Sequence, residues 1–330
     1  MITVAVPAYQ APRLLHSGHI NSILASSLTR QWFNAKLAQE VRVGSISRII
    51  TTASGVRLST RYTLQSRPDQ APTVVLLHGW LGCSESPYIV SLTHALTRQG
   101  FNVVRINFRD HGYSEHLNPE VFHSCRLNEM IEACEYVQRE LPKQHLSLVG
   151  FSLGANFALR INADSDPDRL HLHRVISVCP VLSAENSLIA LENGPALYQH
   201  YFIYRWRQIL RRKERAFPEL YAKNNLAQIQ DLRGGTDYLV QRCTNFADLT
   251  QYMDGYSIVG DRLHKLQAPS HIILAKDDPI IPWQDHQQLA ANKKLNIYLS
   301  EQGGHCGFLN ATLHSPWLDQ YCLQLLATKV

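Results

Sequence analysis

The sequence predicts an α/β fold, with a mostly parallel, doubly wound sheet and an inserted helical segment. Short apolar runs alternate with helix-prone stretches, a pattern typical of a parallel sheet that carries helices on both faces. About 90 residues separate the strand-like run that ends at Pro180 from the next one at His271. A single crossover helix needs far fewer residues. Segment 185–265 is therefore expected to be a helical cap inserted into one domain spanning residues 1–330.

The other elements have local signals of their own. Residues 47–63 predict a β-hairpin that turns at Ser54-Gly55. Ser86 followed by Pro87 is a typical helix start, and Gly100 is a typical helix end. A second helix is expected over residues 125–139. Apolar runs predict the remaining strands at 73–77, 101–108, 146–149, 174–180, 271–275 and 295–299.

The most informative segment is Gly150–Gly154, a G-x-S-x-G motif between an apolar strand and a helix-prone stretch. A serine on such a strand–turn–helix elbow is held in a strained backbone conformation, with its hydroxyl above the edge of the sheet. The two glycines leave room for the turn, because a Cβ at either position would collide with a neighbouring element. We therefore predict that Ser152 is a nucleophile.

A nucleophilic serine needs a histidine base and a carboxylate that orients the base. In α/β hydrolases the acid follows the serine along the chain and the histidine comes last. Here an acidic turn with Asp277 and Asp278 follows the strand at 271–275, and His305 lies in a glycine-rich loop after the next strand. Asp278 is favoured because it stands four residues before Pro282; Asp277 is the alternative.

The loop after the strand at 73–77 begins His78-Gly79-Trp80. In this type of site, one backbone N–H of that loop and the N–H after the nucleophile bind the developing oxyanion. The predicted donors are Trp80 and Leu153. His78, and the segment Arg109-Asp110-His111, are expected to brace loops rather than to act as bases.

Motifs along nearly the whole chain, in order, resemble those of the YheT-type hydrolases, whose eukaryotic relatives are the α/β-hydrolase-domain lipid hydrolases. They lie at 18–23, 78–88, 107–112, 117–119, 122–126, 150–156, 277–279 and 303–308. The resemblance implies a capped α/β-hydrolase fold and a carboxylesterase that acts on short- to medium-chain acyl esters. The chain departs from the family at Trp80, at Ser22, where threonine is usual, and near Gly255-Tyr256, which lacks a Tyr-Tyr pair.

Composition bears on the class of partner and on the cellular compartment. The net charge of +5 is modest and spread along the chain, which does not favour nucleic-acid binding. Seven scattered cysteines without a C-x-x-C motif suit a reducing compartment. No run reaches the 18 apolar residues of a membrane span, and residues 1–10 lack a signal-peptide pattern. A cytoplasmic protein is expected.

The leading hypothesis is a serine hydrolase that forms an acyl-enzyme on Ser152, with no metal or organic cofactor. Two alternatives are an acyltransferase that uses the same triad and a non-catalytic lipid- or acyl-binding protein. An H-x-x-x-x-D pattern at His314 and Asp319 is typical of acyltransferases, but Ser315-Pro316 explains it as a helix start.

The segment 198–215 carries aromatic and basic residues at helical spacing. One face would hold Tyr198, Phe202, Trp206, Ile209 and Leu210, and another Arg207, Arg211 and Arg215. Either the helix packs on the core with a solvated basic stripe, or its aromatic face roofs an acyl pocket while the arginines meet lipid head groups. The substrate partner is expected to be a small ester or lipid.

Overall fold

The structure, a computed structural model, describes residues 9–141, 145–221 and 227–327. One eight-stranded sheet forms its centre. Its strands are β1 (Ile46–Thr51), β2 (Arg57–Thr63), β3 (Thr73–Leu77), β4 (Asn102–Ile106), β5 (Leu146–Phe151), β6 (Leu172–Val178), β7 (Ser270–Ala275) and β8 (Leu295–Ser300). They lie in the order β1-β2-β4-β3-β5-β6-β7-β8.

Strand β2 pairs antiparallel with β1 and β4, whereas the six strands from β3 to β8 are parallel to one another. The predicted hairpin is β1–β2, and its turn contains Gly55 at a φ of +84°. A left-handed backbone at this position suits glycine, which has no Cβ to clash. The prediction of a mostly parallel α/β sheet is confirmed.

The helices are α1 (Gly18–Ala25), α2 (Leu28–Phe33), α3 (Ala35–Val43), α4 (Pro87–Arg98), α5 (Leu127–Glu140), α6 (Leu153–Asp164), α7 (Ala184–Asn193), α8 (Ala196–Ala216), α9 (Pro218–Tyr221), α10 (Leu232–Cys243), α11 (Leu249–Tyr256) and α12 (Pro316–Ala327). Helices α4 and α5 match the two helices expected from the sequence. The sequence analysis assigned no element to α1–α3.

The central strands are buried on both faces, which explains their continuous apolar runs. All five residues of β3 are buried. Val74 and Leu76 pack in the cluster that contains the buried sides of α4 and α12, while Val75 and Leu77 pack with α5 and α6. Successive side chains of a strand point to opposite faces. The sheet is thus covered by helices on each side.

The described residues of the insertion between β6 and β7 form five α-helices, α7 to α11. The aromatic face expected on α8 is largely buried: Tyr198, Trp206, Ile209 and Leu210 lie in the core, and Phe202 packs against it. The helical insertion is confirmed. Its bounds at 185–265 and the single domain over 1–330 stay predictions, and residues 222–226 within the insertion lie outside the description.

Asp319 lies in α12 and accepts a hydrogen bond from the hydroxyl of Ser91 at 2.6 Å. His314 instead donates its backbone N–H to the side chain of Asn310. Helix α12 begins at Pro316, in agreement with the prediction of a helix start there.

None of the helices within the described ranges has the length and the apolar character that a bilayer crossing requires. Residues 1–8, to which most of the signal-peptide argument applies, lie outside those ranges.

Candidate active site

Ser152 lies on a sharp turn between β5 and α6, with φ of +54° and ψ of −119°. Its N–H donates to the carbonyl of Val178 on the adjacent strand at 2.8 Å. A Cβ at Gly150 would lie 2.2 Å from the carbonyl oxygen of Gly154, and one at Gly154 would lie 2.4 Å from that of Leu77. Backbone atoms cannot yield at such distances, so this turn requires both glycines.

The structure brings the three predicted triad residues together in one hydrogen-bonded chain. His305 Nε2 lies 2.9 Å from Ser152 Oγ, and His305 Nδ1 lies 2.9 Å from Asp278 Oδ2. The second carboxylate oxygen accepts the backbone N–H groups of Ile280 and Ile281 at 2.8 and 3.0 Å. Because its side chain is fully buried and held on both oxygens, Asp278 can orient the imidazole.

Asp277 has a different position from Asp278. Its Oδ1 accepts the N–H of Gly304 at 2.8 Å, so it holds the loop before His305 rather than the imidazole ring. Burial raises the pKa of the Asp277 carboxyl. The structure thus places Asp278, and not Asp277, against the imidazole of His305. Asp278 is the residue that its offset from Pro282 favours.

The electrostatics of His305 are a balance of two opposed effects. Burial by itself lowers the pKa of the imidazole, because it penalises the charged form. The carboxylate of Asp278, which is both a nearby negative charge and a hydrogen-bond acceptor, and the adjacent Cys306 together outweigh burial and raise the pKa of His305 well above its usual value. The site therefore favours the imidazolium that forms when the serine loses its proton.

The loop after β3 packs directly on the serine, since a Cβ at Gly79 would lie 3.2 Å from Ser152 Cβ. Among residues 79–82, at the start of this loop, the N–H of Trp80 has no hydrogen-bond acceptor within the described part of the chain. The other N–H groups donate as follows: Gly79 to Tyr88 Oη, Leu81 to His111 Nε2 and Gly82 to the Gly79 carbonyl.

The second predicted oxyanion donor, Leu153, is the first residue of α6. The first N–H groups of a helix have no acceptor in the preceding turn, and they point toward bound negative charge. Trp80 and Leu153 therefore offer two donors beside the same serine.

Two buried histidines brace the loops around the serine. The ring nitrogens of His78 bond the carbonyl of Gly79 at 2.7 Å and the N–H of Phe108 at 3.2 Å. His111 bonds the carbonyl of Arg109 at 2.7 Å. Burial lowers the pKa of His78 well below its usual value and that of His111 to about 4. Both rings are therefore neutral near pH 7 and serve as hydrogen-bonding struts.

Helix α1 supports the histidine loop, a role that the sequence analysis missed. Ser22 Oγ accepts the backbone N–H of His305 at 2.7 Å and donates to the carbonyl of Gly18 at 2.6 Å. Gly18 lies so close to the acidic turn that a Cβ would be 1.8 Å from the carbonyl oxygen of Asp277. The only sequence signal was that both residues fall in a motif of the resembled family.

Ser152 and His305 open into a cavity of about 660 Å³ beneath the insertion. This volume lies within the range of small-molecule sites. The aromatic face of α8 forms part of its lining through Tyr198, Phe202 and Trp206. Other apolar walls come from α7, α10 and α11, including Leu188, Leu191, Leu239, Val240 and Met253. The site thus combines the triad with an apolar chamber.

Among the described residues, one group of side chains could hold a metal ion: Cys179, His305 and Cys306, whose ligand atoms lie within 4.8 Å of one another. Both ring nitrogens of His305 are already engaged by Asp278 and Ser152. A metal there would have to displace one of these partners, so the group does not add a cofactor site to the triad.

The profile described as alpha/beta hydrolase fold matches residues 72–312. The chain belongs to this family. It is 28% identical over 266 residues to the "Putative esterase YheT" of Escherichia coli (strain K12). The matched region covers 78% of this chain and 77% of the relative. A Dictyostelium discoideum Abhydrolase domain-containing protein is 23% identical, over 97% of this chain and 81% of its own. The predicted family resemblance is confirmed.

More distant relatives extend the comparison. Monoacylglycerol lipase ABHD2 of Homo sapiens is 21% identical over 76% of this chain and 64% of its own length. The esterase Pf2001 of Pyrococcus furiosus superposes with a TM-score of 0.56 at 12% identity, covering 87% of this chain and 92% of that one. A 2,6-dihydroxy-pseudo-oxynicotine hydrolase superposes with a TM-score of 0.58 at 14% identity, covering 89% of this chain and 72% of that one. At such identities these two structures show the fold alone.

Replacing Asp278 by asparagine should reduce ester hydrolysis by a factor on the order of 10³–10⁴, because the imidazolium loses its stabilising carboxylate. Removal of this charge also lowers the pKa of His305, so the acidic limb of the kcat/KM profile should move to lower pH. Asp277→Asn keeps an oxygen for Gly304 and should cost less than about tenfold. A larger loss from Asp277→Asn would contradict the assignment.

Ser22→Ala should lower kcat by about two- to tenfold, because one hydrogen bond that holds the His305 backbone is lost. Ser22→Thr retains the hydroxyl and should restore most of the activity. The comparison needs steady-state kinetics on one soluble ester, with thermal unfolding of each variant as the control. Equal activity of the alanine and threonine variants would remove Ser22 from the supporting set.

Proposed function

We propose that this protein is a serine carboxylesterase that cleaves short- to medium-chain acyl esters through an acyl-enzyme on Ser152. Its family and its relatives make it a hydrolase of the esterase and lipase kind. The observation that carries the finer assignment is the hydrogen-bonded chain Ser152–His305–Asp278, which opens into an apolar cavity.

In the proposed reaction, His305 Nε2 takes the hydroxyl proton of Ser152 while the serine oxygen attacks the ester carbonyl. The N–H groups of Trp80 and Leu153 stabilise the resulting oxyanion. His305 then protonates the departing alcohol, which leaves an acyl-enzyme. Water, deprotonated by the same histidine, releases the acid and restores the serine. All protons move between these groups, substrate and water, so the scheme requires no metal or organic cofactor.

The walls of the cavity support an acyl substrate. Most of the side chains contributed by the insertion are apolar or aromatic, and no carboxylate of the described insertion residues lines the cavity. An acyl chain would bury its surface there by the hydrophobic effect, while the ester carbonyl reaches the elbow. Relatives named as an esterase and as monoacylglycerol lipases agree with this class of substrate.

Two other functions could use the same residues. An acyltransferase would pass the acyl group from Ser152 to an alcohol other than water, so the ratio of alcoholysis to hydrolysis of one ester would identify it. A non-catalytic acyl-binding protein would hold its ligand under the insertion without turnover. The hydrogen-bonded chain Ser152–His305–Asp278, beside the N–H groups of Trp80 and Leu153, favours an enzyme over a binding protein.

Ser152→Ala should reduce hydrolysis of p-nitrophenyl esters on the order of 10³-fold or more, because the nucleophile is lost. A fluorophosphonate probe should label the wild-type protein at Ser152 and leave this variant unlabelled. Circular dichroism should show the same fold for both proteins. Hydrolysis within about tenfold of wild type would refute the assigned nucleophile.

We also propose a peripheral contact between α8 and lipid head groups. The helix carries six basic residues and one acidic residue. The predicted stripe is not uniform, however, since Arg207 donates to the carbonyl of Ile229 at 2.8 Å. Arg211 and Arg215 are exposed. Two to four turns earlier on the same helix, the exposed side chains of Tyr201 and Tyr204 lie at the cavity lining. Cationic and aromatic groups together suit an anionic lipid surface.

Arg211→Glu combined with Arg215→Glu should weaken binding to phosphatidylglycerol vesicles at least about tenfold in low salt, since each basic residue near such a surface contributes about 1 kcal/mol. Hydrolysis of a small soluble ester should not change. The matched control reverses Arg98 and Lys293, two exposed basic residues outside the insertion. Equal vesicle binding by the two double variants would leave α8 as a packing element only.

A further inference from the structure

Helix α8 of the insertion contacts the loop that carries the Trp80 N–H. The Trp80 indole stacks on Phe202, with ring centroids 5.5 Å apart and an interplanar angle of 11°. Trp206, one turn further along α8, meets the same indole edge-on at 5.2 Å. Arg205 Nη2 donates to the carbonyl of Leu81 at 3.0 Å. One helix therefore holds two successive residues of the loop, by apolar and by polar contacts.

A second route joins α8 to the same loop through the core. Lys213 is fully buried, and its Nζ lies 2.7 Å from Asp110 Oδ1. Asp110 also accepts the N–H of Phe122 and directly precedes His111. The ring of His111 accepts the N–H of Leu81 at 3.2 Å. The ammonium group of Lys213 thus anchors the segment that contains His111, and His111 in turn holds the backbone N–H of Leu81.

Leu81 needs this support because its backbone is strained. Its φ of +59° lies in the left-handed region, which a leucine adopts only when the surrounding structure imposes it. Its carbonyl accepts a hydrogen bond from Arg205. Its N–H donates to His111, which follows Asp110, the partner of Lys213. Both polar groups of the strained residue are therefore tied to α8.

We infer that Arg205 and Lys213 are positioning residues for the oxyanion hole. They fix Leu81, and through it the adjacent Trp80 N–H, so that the insertion sets the geometry of transition-state stabilisation as well as the shape of the cavity. The inference rests on the proposed function, which assigns the oxyanion role to Trp80. Displacement of such a donor by a fraction of an ångström reduces its effect, because its alignment with the developing charge is preorganised.

Arg205→Ala should lower kcat for a soluble ester by roughly ten- to a hundredfold, less than the 10²–10³-fold cost of deleting a donor outright. The KM should change less than about threefold, because the donor acts mainly in the transition state. Affinity for a trifluoromethyl ketone, whose tetrahedral adduct occupies the oxyanion hole, should fall by the same factor as kcat. Arg205→Lys, which keeps a donor, should recover part of both losses.

The matched control is Arg207→Ala. Arg207 lies two residues further along α8 and also donates to a backbone carbonyl, that of Ile229, but this carbonyl is remote in sequence from the oxyanion loop. The Arg207→Ala substitution removes a comparable anchor of the insertion and should leave kcat within about threefold of the wild-type value. Equal kinetic losses in Arg205→Ala and Arg207→Ala would overturn the inference, because they would reflect loosening of the insertion in general.

The Lys213 route is tested by the double variant Lys213→Met with Asp110→Asn, which removes both buried charges together. It should reduce kcat and ketone affinity in parallel while the acidic limb of the pH profile, set by His305, stays in place. If it fails to fold, the Arg205 comparison decides alone. Failure of the proposed function is separable, since it would show as retained activity in Ser152→Ala, whatever the Arg205 variants do.

Discussion

The left-handed backbone of Ser152 is the constraint on which the rest of the site depends. The turn exists only because Gly150 and Gly154 let α6 start directly against β5 and β3. A Cβ at Gly154 would meet the end of β3, so the same close approach that permits the elbow also brings the loop after β3 onto the serine. One packing contact therefore positions both Ser152, the proposed nucleophile, and the loop of Trp80, the proposed oxyanion donor. The surrounding sheet and helices hold the strained backbone of Ser152 in place.

Parallel strands explain why residues far apart in sequence meet at this turn. The carboxyl ends of β3, β5, β7 and β8 lie at one edge of the sheet, where ligands bind in open α/β folds. These four strands lead respectively to the loop of Trp80, to Ser152, to Asp278 and to His305. Burial then sets the pKa values of the histidines at this edge. Burial lowers the pKa values of His78 and His111 and keeps both rings neutral, whereas at His305 Asp278 and Cys306 together outweigh burial and raise the pKa. The same edge of the sheet therefore carries both the bracing histidines and His305, the proposed base.

The sequence predicted what local patterns encode and missed what depends on packing between distant segments. The glycines around Ser152 and the hairpin turn at Gly55 each have a physical cause within a few residues, and the long gap before β7 can be read directly as a chain length. The fold that these features predicted is confirmed. The bond from the His305 N–H to Ser22 joins residues 283 apart, and Lys213 reaches Asp110 across 103 residues. No periodicity marks such pairs, because each side chain is an ordinary serine or lysine in its own helix.

The buried pair of Lys213 and Asp110 also bears on why the insertion is built as it is. Burial raises the pKa of Asp110 to about 6 and lowers that of Lys213, so each charged form is penalised and only partly compensated by the other. Apolar residues of similar volume often replace such a pair without loss of stability. Stability alone is therefore a weak reason for a lysine at this position. Its ammonium group, however, also bonds the carbonyls of Glu115 and Asn118, and so fixes the path of the whole segment that carries His111. A methionine could fill the space but could not orient those groups, which makes geometry the stronger reason for the charge.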